Sequence, residues 1–370
     1  MDYTHHGQKR VKPSAEIEKF RKEKEATKIK EYKNLVASCF QKRDKKEFDK
    51  DALALTTKIL SQNPDFYSIW NFRRLILLEG ILKECSEEDT RKTLSTELDF
   101  LQEIFQLNRK SYWIFNHRRW CLETMQNPDW NMELQLIGKF LEIDARNFHA
   151  WGYRRYVTSK LSHATETSLI QIEFDFTTTK INQNFSNYSA WHQRSKLLPL
   201  LIKEKNLNEQ EKKKLIDKEF ELVKAAFYTD PDDQSAWLYH WWLVNGQDST
   251  ISMSLSEKSK ESSSILNQDL SIITSERIEL LQHEISMVRE LLELEPNSKW
   301  CLQTLANLLI ELKRISETNI EENSKIDDEV ITICDRLIKI DKFRTKRFED
   351  LRSKIISAKS LVKPVSQELE

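Results

Sequence analysis

The chain has few of the residues that interrupt helices, since only 5 of its 370 residues are Gly and 7 are Pro. This scarcity argues against a loop-rich fold and favours long helices. Apolar residues make up 39% of the chain and charged residues 32%. That balance suits amphipathic helices with much solvated surface better than a buried parallel sheet.

The sequence also lacks an excess of charge, long apolar runs and paired cysteines. Its net charge of −1 gives no electrostatic basis for binding nucleic acid or an anionic membrane surface. No stretch reaches the roughly 20 apolar residues of a membrane span, and residues 1–33 contain no apolar run typical of a signal peptide. The five cysteines are odd in number and form no C-x-x-C pair, so we interpret them as reduced thiols of a cytoplasmic protein.

Aromatic residues are plentiful, and their positions reveal a repeat. Five segments align without gaps on an aromatic anchor, and the anchors are Trp70, Phe115, Trp151, Trp191 and Trp237. Each segment opens with Asn or Asp, which we expect to cap a helix, and in two segments the next residue is Pro, which we place at the first helical position.

Four segments carry an arginine three residues after the anchor, so anchor and arginine share one helix face. We assign the tryptophans and the arginines to structure. Phe115 keeps the apolar contact but lacks the indole N–H, and we expect little functional effect from this difference. Between the segments, apolar residues recur every three or four positions, as in Leu94, Leu98, Leu101 and Phe105. Each unit is therefore predicted to be a helix pair that stacks on its neighbours.

The Trp-x-x-Arg signature resembles the repeat of protein prenyltransferase α subunits. Successive anchors are 45, 36, 40 and 46 residues apart, whereas a tetratricopeptide array has a fixed period of about 34 residues. The resemblance covers roughly residues 11–354. It implies an all-α fold, a right-handed superhelical array of helical hairpins called an α-α superhelix.

Within this family the chain is most similar to α subunits of the Rab geranylgeranyltransferase type. His6-Gly7 and the basic residues after it resemble the start of those subunits, and Asp230–Trp237 resembles their fifth repeat. Residues 294–301 and 341–354 resemble their last helices. No leucine-rich repeat follows, so the chain is similar to a short form without the immunoglobulin-like and leucine-rich domains of animal members.

These features predict a division of the chain into five parts. One part, a Ser-rich insertion, is assigned from composition, since 10 of its 31 residues are Ser. The parts are an N-terminal segment with a charged, solvated helix (1–33), the prenyltransferase α-subunit repeats (34–245), a Ser-rich flexible insertion (246–276), C-terminal helical repeats that complete the array (277–360) and a tail (361–370).

One position of the repeat points to an anion. Two residues after the opening Asn or Asp, only the second and third units are basic, with Lys110 and Arg146. Because a cation at a helix N-terminus costs roughly 0.3–1 kcal/mol, we expect these residues to serve a bound diphosphate. The family places a Lys and a Tyr of its second repeat, and an Asn and a His of its third, beside the lipid diphosphate. By resemblance the candidate catalytic residues are Lys110, Tyr112, Asn147 and His149.

The resemblance implies an α subunit of protein geranylgeranyltransferase type II, active only with a β subunit. The reaction would transfer geranylgeranyl from geranylgeranyl diphosphate to C-terminal cysteines of Rab GTPases that an escort protein presents. The β subunit would hold most of the ligands of a zinc ion. His6 is a candidate additional zinc ligand, and His5 competes with it for that role.

Two alternatives stay open. The first is the α subunit shared by farnesyltransferase and type I geranylgeranyltransferase, against which the His-Gly start and the helices beyond Trp300 argue. The second is a non-catalytic helical-repeat scaffold, because the sequence contains no metal-binding motif, glycine-rich phosphate loop or nucleophile elbow. A stable β partner and prenyl transfer to Rab tails would separate the enzyme from a scaffold.

Overall fold

Helices make up the regular structure of the computed structural model, which describes residues 14–245, 263–316 and 319–361; these residues contain no strand. Contacts group the helices into two units, with the boundary between Thr165 and Glu166. The first unit contains α1 (Ala15–Asp44), α2 (Lys50–Gln62), α3 (Tyr67–Ile76, continued by a π-helical turn Leu77–Ile81), α4 (Glu87–Leu107), α5 (Tyr112–Thr124), α6 (Trp130–Ile143) and α7 (Phe148–Thr165). The second unit contains α8 (Ile170–Gln183), α9 (Tyr188–Glu204), α10 (Glu209–Thr229), α11 (234–245), α12 (Ser263–Leu294), α13 (Lys299–Ile315), α14 (Ile320–Ile340) and α15 (Thr345–Leu361).

From α2 onward, the helices follow one another as hairpins. In each hairpin a four-residue link joins the first helix to the second, and the links are 63–66, 108–111, 144–147, 184–187, 230–233, 295–298 and 341–344. This architecture confirms the predicted all-α fold of helical hairpins. The two hairpins after the fifth anchor are those expected from residues 294–301 and 341–354.

The Asn or Asp that opens each segment has a different role from the predicted one. Asn63, Asn108, Asp144, Asn184 and Asp230 follow the last residue of the first helix of each hairpin, so they end that helix instead of starting the next. In four links this side chain accepts a hydrogen bond from the backbone N–H two residues later. Because Asn and Asp favour both this turn and a helix cap, the sequence alone did not distinguish them. The prolines likewise lie in the links.

The anchor tryptophan forms a hydrogen bond to the backbone of the link. It is the fourth residue of the second helix, and its indole N–H donates to the backbone carbonyl six residues earlier. The Nε1 to O distances are 2.7 Å for Trp70 to Pro64 and 2.9 Å for Trp151 to Ala145. Trp191 and Trp237 form the same bond at 2.7 and 2.9 Å. The anchor thus donates to a link carbonyl that is at least partly buried and lies outside the helices.

The arginine three residues after the anchor ties its hairpin to the next one. Arg73 on α3 donates from Nε and Nη2 to both carboxylate oxygens of Glu97 on α4, at 2.6 and 2.7 Å. Arg194 on α9 repeats these distances to Glu219 on α10. All four side chains are at least 95% buried. Two parallel charge-assisted bonds are the strongest geometry that an arginine offers to a carboxylate.

Each glutamate also receives a third donor from the second helix of its own hairpin. Glu133 on α6 pairs with Arg118 on α5 and accepts a 2.8 Å hydrogen bond from the hydroxyl of Tyr153 on α7. Tyr239 donates to Glu219 in the same manner at 2.7 Å. The buried carboxylate is therefore satisfied from both hairpins. This contact network confirms that the paired arginines are structural.

Two parts of the predicted division differ from the structure. The charged helix is solvated as predicted, because residues 15–31 are all exposed, but it continues to Asp44 without a break near residue 33. The predicted flexible insertion is wrong over residues 263–276, which belong to helix α12. Its serines hid a helical pattern, since Leu266, Leu270 and Ile273 are spaced by four and three residues. Residues 246–262, the tail beyond Leu361 and the N-terminal residues with His5 and His6 lie outside the described ranges.

The buried pairs predict a large cost for removing one charge. In Glu133→Gln, Arg118 keeps its charge in a buried site without a counter-charge, so the free energy of unfolding should fall by about 3–5 kcal/mol. The matched control is Glu321→Gln, which breaks an exposed pair with Lys325 and should cost less than about 1 kcal/mol. Urea unfolding of both variants measures the difference. Equal losses would contradict the role of the buried pairs.

The pair of His117 and Glu97 predicts a pH dependence of stability. Burial lowers the pKa of His117 from 6.5 to about 4. Burial works to raise the pKa of Glu97, but its bonds to His117 and Arg73 outweigh this effect and hold that pKa at about 2. Both folded-state pKa values lie below the unfolded-state values, so at low pH the unfolded chain binds more protons than the folded chain. The contribution of His117 to stability is therefore fully present above pH 6.5 and is lost as the pH falls toward 4.

His117→Gln removes one titrating group and should flatten this decline by up to about 1.4 kcal/mol per pH unit. Urea unfolding at pH 7, 6 and 5 measures it, with His192→Gln, an exposed histidine, as the control. If His117→Gln and the wild-type chain lose stability equally between pH 7 and 5, His117 is not the titrating group.

Candidate functional site

Lys110 lies in the link between α4 and α5, two residues before the first residue of α5. It therefore precedes the helix and does not occupy the first turn, which corrects the prediction. The side chain is exposed, and no other described residue holds its ammonium by a hydrogen bond or ion pair. Among the described residues no side chain caps the first turn of α5 either. A free cation thus lies beside free backbone N–H groups, an arrangement that favours an anion.

The acidic residues at the equivalent position of other links have a structural role that Lys110 lacks. Asp65 accepts a 2.6 Å hydrogen bond from the hydroxyl of Ser111, which belongs to the next link. Asp232 lies 3.2 Å from the hydroxyl of Ser298 in the same relation. The acids therefore tie consecutive links together. The basic residue of the α4–α5 link is left available for a ligand.

Tyr112 and His149 lie together next to this link. Tyr112 is the first residue of α5 and 63% exposed, while His149 is the second residue of α7 and half-buried. Their rings meet edge to face with centroids 4.0 Å apart. Phe148 packs against both, with centroids 6.0 Å from Tyr112 and 3.8 Å from His149. The first turns of α5 and α7 thus present an aromatic patch with a hydroxyl and an imidazole.

Charged residues of the neighbouring links affect the pKa of His149. Partial burial lowers the pKa of His149, nearby Asp65 raises it, and Lys110 lowers it again. The net direction is downward, so the imidazole is neutral at pH 7 and offers one N–H donor and one acceptor. The surface beside Lys110 is an open depression instead of an enclosed pocket. This geometry leaves room for a second protein to complete the site.

Asn147 is close to the other predicted site residues but has a different environment. It is only 4% exposed, and both atoms of its amide are in use. The amide oxygen accepts from the backbone N–H of Ala150 at 3.1 Å and so caps α7. The amide nitrogen donates to the carbonyl of Arg109 at 2.8 Å. The structure therefore brings Lys110, Tyr112 and His149 together at the surface and places Asn147 beneath them.

The described residues offer few other groups with reactive chemistry. They contain no cluster of three or more His, Cys, Asp or Glu side chains that could hold a metal ion. Burial raises the pKa of Cys39, Cys301 and Cys334 to about 11, which keeps these thiols protonated. No helix in the described ranges has the length and apolar character to cross a membrane.

The repeats match a known family. Residues 49–79, 94–125, 130–161, 170–201 and 216–247 match the protein prenyltransferase alpha subunit repeat. These ranges contain the five anchors and the link that carries Lys110. Among solved structures, this chain is similar to a chain of Candida albicans protein geranylgeranyltransferase-I complexed with GGPP, with a TM-score of 0.61 and 21% identity over 88% of this chain and 91% of that one. At this identity the likeness shows the fold.

Curated relatives identify the branch of the family. The chain is 39% identical over 363 residues to the geranylgeranyl transferase type-2 subunit alpha of Schizosaccharomyces pombe, which covers 95% of this chain and 98% of that protein. The corresponding Dictyostelium discoideum subunit is 38% identical and covers 95% of this chain and 100% of that protein. The human subunit is 41% identical over 245 residues, which are 66% of this chain and 42% of the human protein. The chain therefore belongs to the protein prenyltransferase α subunits and, among them, to the geranylgeranyl transferase type-2 α subunits.

Proposed function

We propose that this chain and a β subunit form a type II protein geranylgeranyltransferase of the cytoplasm. The enzyme transfers geranylgeranyl from geranylgeranyl diphosphate to C-terminal cysteines of Rab GTPases presented by an escort protein. The observation that carries this proposal is the free ammonium of Lys110 at the uncapped start of α5, beside Tyr112 and His149. It occurs in a chain with 39% identity to a type-2 subunit over nearly its full length.

In the proposed reaction the cysteine sulfur forms a thioether bond to the lipid carbon, and the carbon–oxygen bond to the diphosphate breaks. The departing diphosphate gains negative charge as this bond breaks. Lys110 supplies a compact positive charge to a diphosphate oxygen, and the N–H groups at the start of α5 supply further donors. Tyr112 adds its hydroxyl and His149 a neutral N–H. The backbone N–H groups at the start of α5 are oriented by the helix before the reaction, so they stabilise the developing charge with little reorganisation.

A zinc ion, which we assign to the β subunit, would lower the pKa of the substrate cysteine and so supply the thiolate. The N-terminal His6, or its neighbour His5, is a proposed additional ligand from this chain. The open depression beside Lys110 fits a site that the β subunit completes. The rival scaffold function requires none of these groups.

The proposal is tested by reconstitution. The chain should co-purify with a β subunit, and only the heterodimer should transfer geranylgeranyl to a Rab with its escort protein. Transfer by this chain alone would contradict the proposal that a β subunit is required. Preference for farnesyl diphosphate, or for short C-terminal peptides without the escort, would favour the α subunit of farnesyltransferase and type I geranylgeranyltransferase. A heterodimer without any transfer would favour a scaffold.

Lys110→Ala should slow single-turnover transfer by the heterodimer roughly 10- to 1000-fold, the scale for losing one charge-stabilising donor. Affinity for the lipid diphosphate should fall much less, because the contact strengthens as the bond breaks. Tyr112→Phe should show a smaller loss in the same direction. The measurements are single-turnover prenylation at saturating lipid and a separate lipid-binding titration.

The control is Lys205→Ala, which removes an exposed lysine after α9 and should leave the rate unchanged. The heterodimer should assemble normally with Lys110→Ala, since an exposed link lysine contributes little packing. An unchanged single-turnover rate for Lys110→Ala would remove this residue from the mechanism.

A further inference from the structure

The backbone of the α4–α5 link has a different hydrogen-bond donor from the links whose anchor is tryptophan. Trp70, Trp151, Trp191 and Trp237 each donate an indole N–H to the carbonyl six residues earlier. The anchor of the α4–α5 link is Phe115, which has no N–H to donate. The carbonyl six residues before it belongs to Arg109, and among the described residues its donor is the amide of Asn147, at 2.8 Å.

This carbonyl lies one residue before Lys110. In the links that contain Pro64 and Pro231, an indole holds the carbonyl while a serine of the next link, Ser111 or Ser298, also lies within 3.4 or 3.1 Å. Asn147 occupies the repeat position of Ser111 and Ser298, and because the α4–α5 link has no indole, its amide alone among the described residues donates to this carbonyl. The position of Lys110 then depends on a residue of the following hairpin.

The same amide also determines where His149 lies. Its oxygen caps α7 at Ala150, one residue after His149, while its nitrogen holds the carbonyl before Lys110. The bond to Ala150 is buried and the bond to the Arg109 carbonyl is partly buried, where the loss of a hydrogen-bond partner is costly. One side chain therefore couples the two elements that carry the proposed diphosphate contacts.

We propose that Asn147 is a positioning residue that holds the Arg109 carbonyl, for which Phe115 offers no indole, and sets the place of Lys110 in the reaction. This inference rests on the proposed role of Lys110. Asn147 acts through the Arg109 carbonyl and does not touch the diphosphate. This differs from the direct contact that the family resemblance implies. A displacement of about 1 Å in a catalytic group costs up to about 100-fold in rate.

The decisive test is a double-mutant cycle in the heterodimer. Asn147→Ala should lower the single-turnover rate about 10- to 100-fold. In the Lys110→Ala background the same substitution should change the rate by less than about twofold, because the residue that it positions is already gone. If the two effects multiply instead, Asn147 acts independently of Lys110 and the inference is wrong. If Lys110→Ala alone has no effect, the proposed function of Lys110 fails first.

A rescue variant separates the lost donor from the lost helix cap. Phe115→Trp introduces an indole that can reach the Arg109 carbonyl. The single-turnover rate of the double variant Asn147→Ala/Phe115→Trp should therefore be at least about threefold higher than that of Asn147→Ala. The fifth repeat has a tryptophan at this position beside an equivalent phenylalanine. There Phe227, ten residues before Trp237, stacks on it at 3.5 Å, and Phe105 is ten residues before Phe115. Absence of any rescue would count against the substitution of one donor for the other.

The matched control is Asn187→Ala. Asn187 occupies the same repeat position, caps α9 through Ala190, and its amide nitrogen has no partner among the described residues. Its loss should cost stability as a cap, roughly 0.5–2 kcal/mol, and leave the single-turnover rate unchanged. Asn147→Ser, which keeps a cap and a short donor, serves where Asn147→Ala does not fold, and it should retain more activity than Asn147→Ala. Equal rate losses for Asn147→Ala and Asn187→Ala would reduce Asn147 to an ordinary cap.

Discussion

A buried arginine of one hairpin, held by a glutamate of the next, is the interaction on which the rest of the structure depends. A helix pair cannot cover its own apolar faces, so neighbouring pairs must stack in one register. Apolar contact alone sets register loosely, whereas two parallel N–H to carboxylate bonds fit only one relative position. Arg73, Arg118 and Arg194 form such pairs. Each glutamate also contacts a third group of its own hairpin, which is His117 for Glu97, Tyr153 for Glu133 and Tyr239 for Glu219. Where the fifth unit lacks the arginine, His240 lies 2.7 Å from Glu284 and takes its place.

The buried charged residues and the charged residues of the links have different roles. Inside, Arg73, Arg118 and Arg194 are each matched by a carboxylate, so these charges stabilise the stacking. At the links, Asp65 and the next serine continue the same cross-linking. Lys110 is the departure, because its link is held through the backbone by Asn147 and its ammonium is left without a partner in the described structure. The register that the buried pairs set also places the hairpin that carries Lys110 against the hairpin that carries His149.

Much of the fold followed from the sequence, because each anchor lies in the same place in its hairpin. The tryptophan and arginine positions predicted the hairpins, and the basic residue in the second unit predicted the candidate site. The glutamate partners escaped detection because they lie 24, 15 and 25 residues from their arginines, without a common spacing. The role of Asn63 and its equivalents was mistaken because a turn and a cap favour the same residues. Asn147 was recognised by resemblance, but only the structure shows that its amide donates to the Arg109 carbonyl, for which Phe115 offers no indole.

The central claim is that stacked hairpins hold a free lysine against the departing diphosphate, with Asn147 as the support. The most direct measurement is a structure of the heterodimer with geranylgeranyl diphosphate bound. The account predicts Lys110 Nζ within about 2.7–3.2 Å of a diphosphate oxygen, with the Asn147 amide still on the Arg109 carbonyl. A diphosphate bound away from the start of α5, or an Asn147 side chain turned onto the diphosphate, would contradict it.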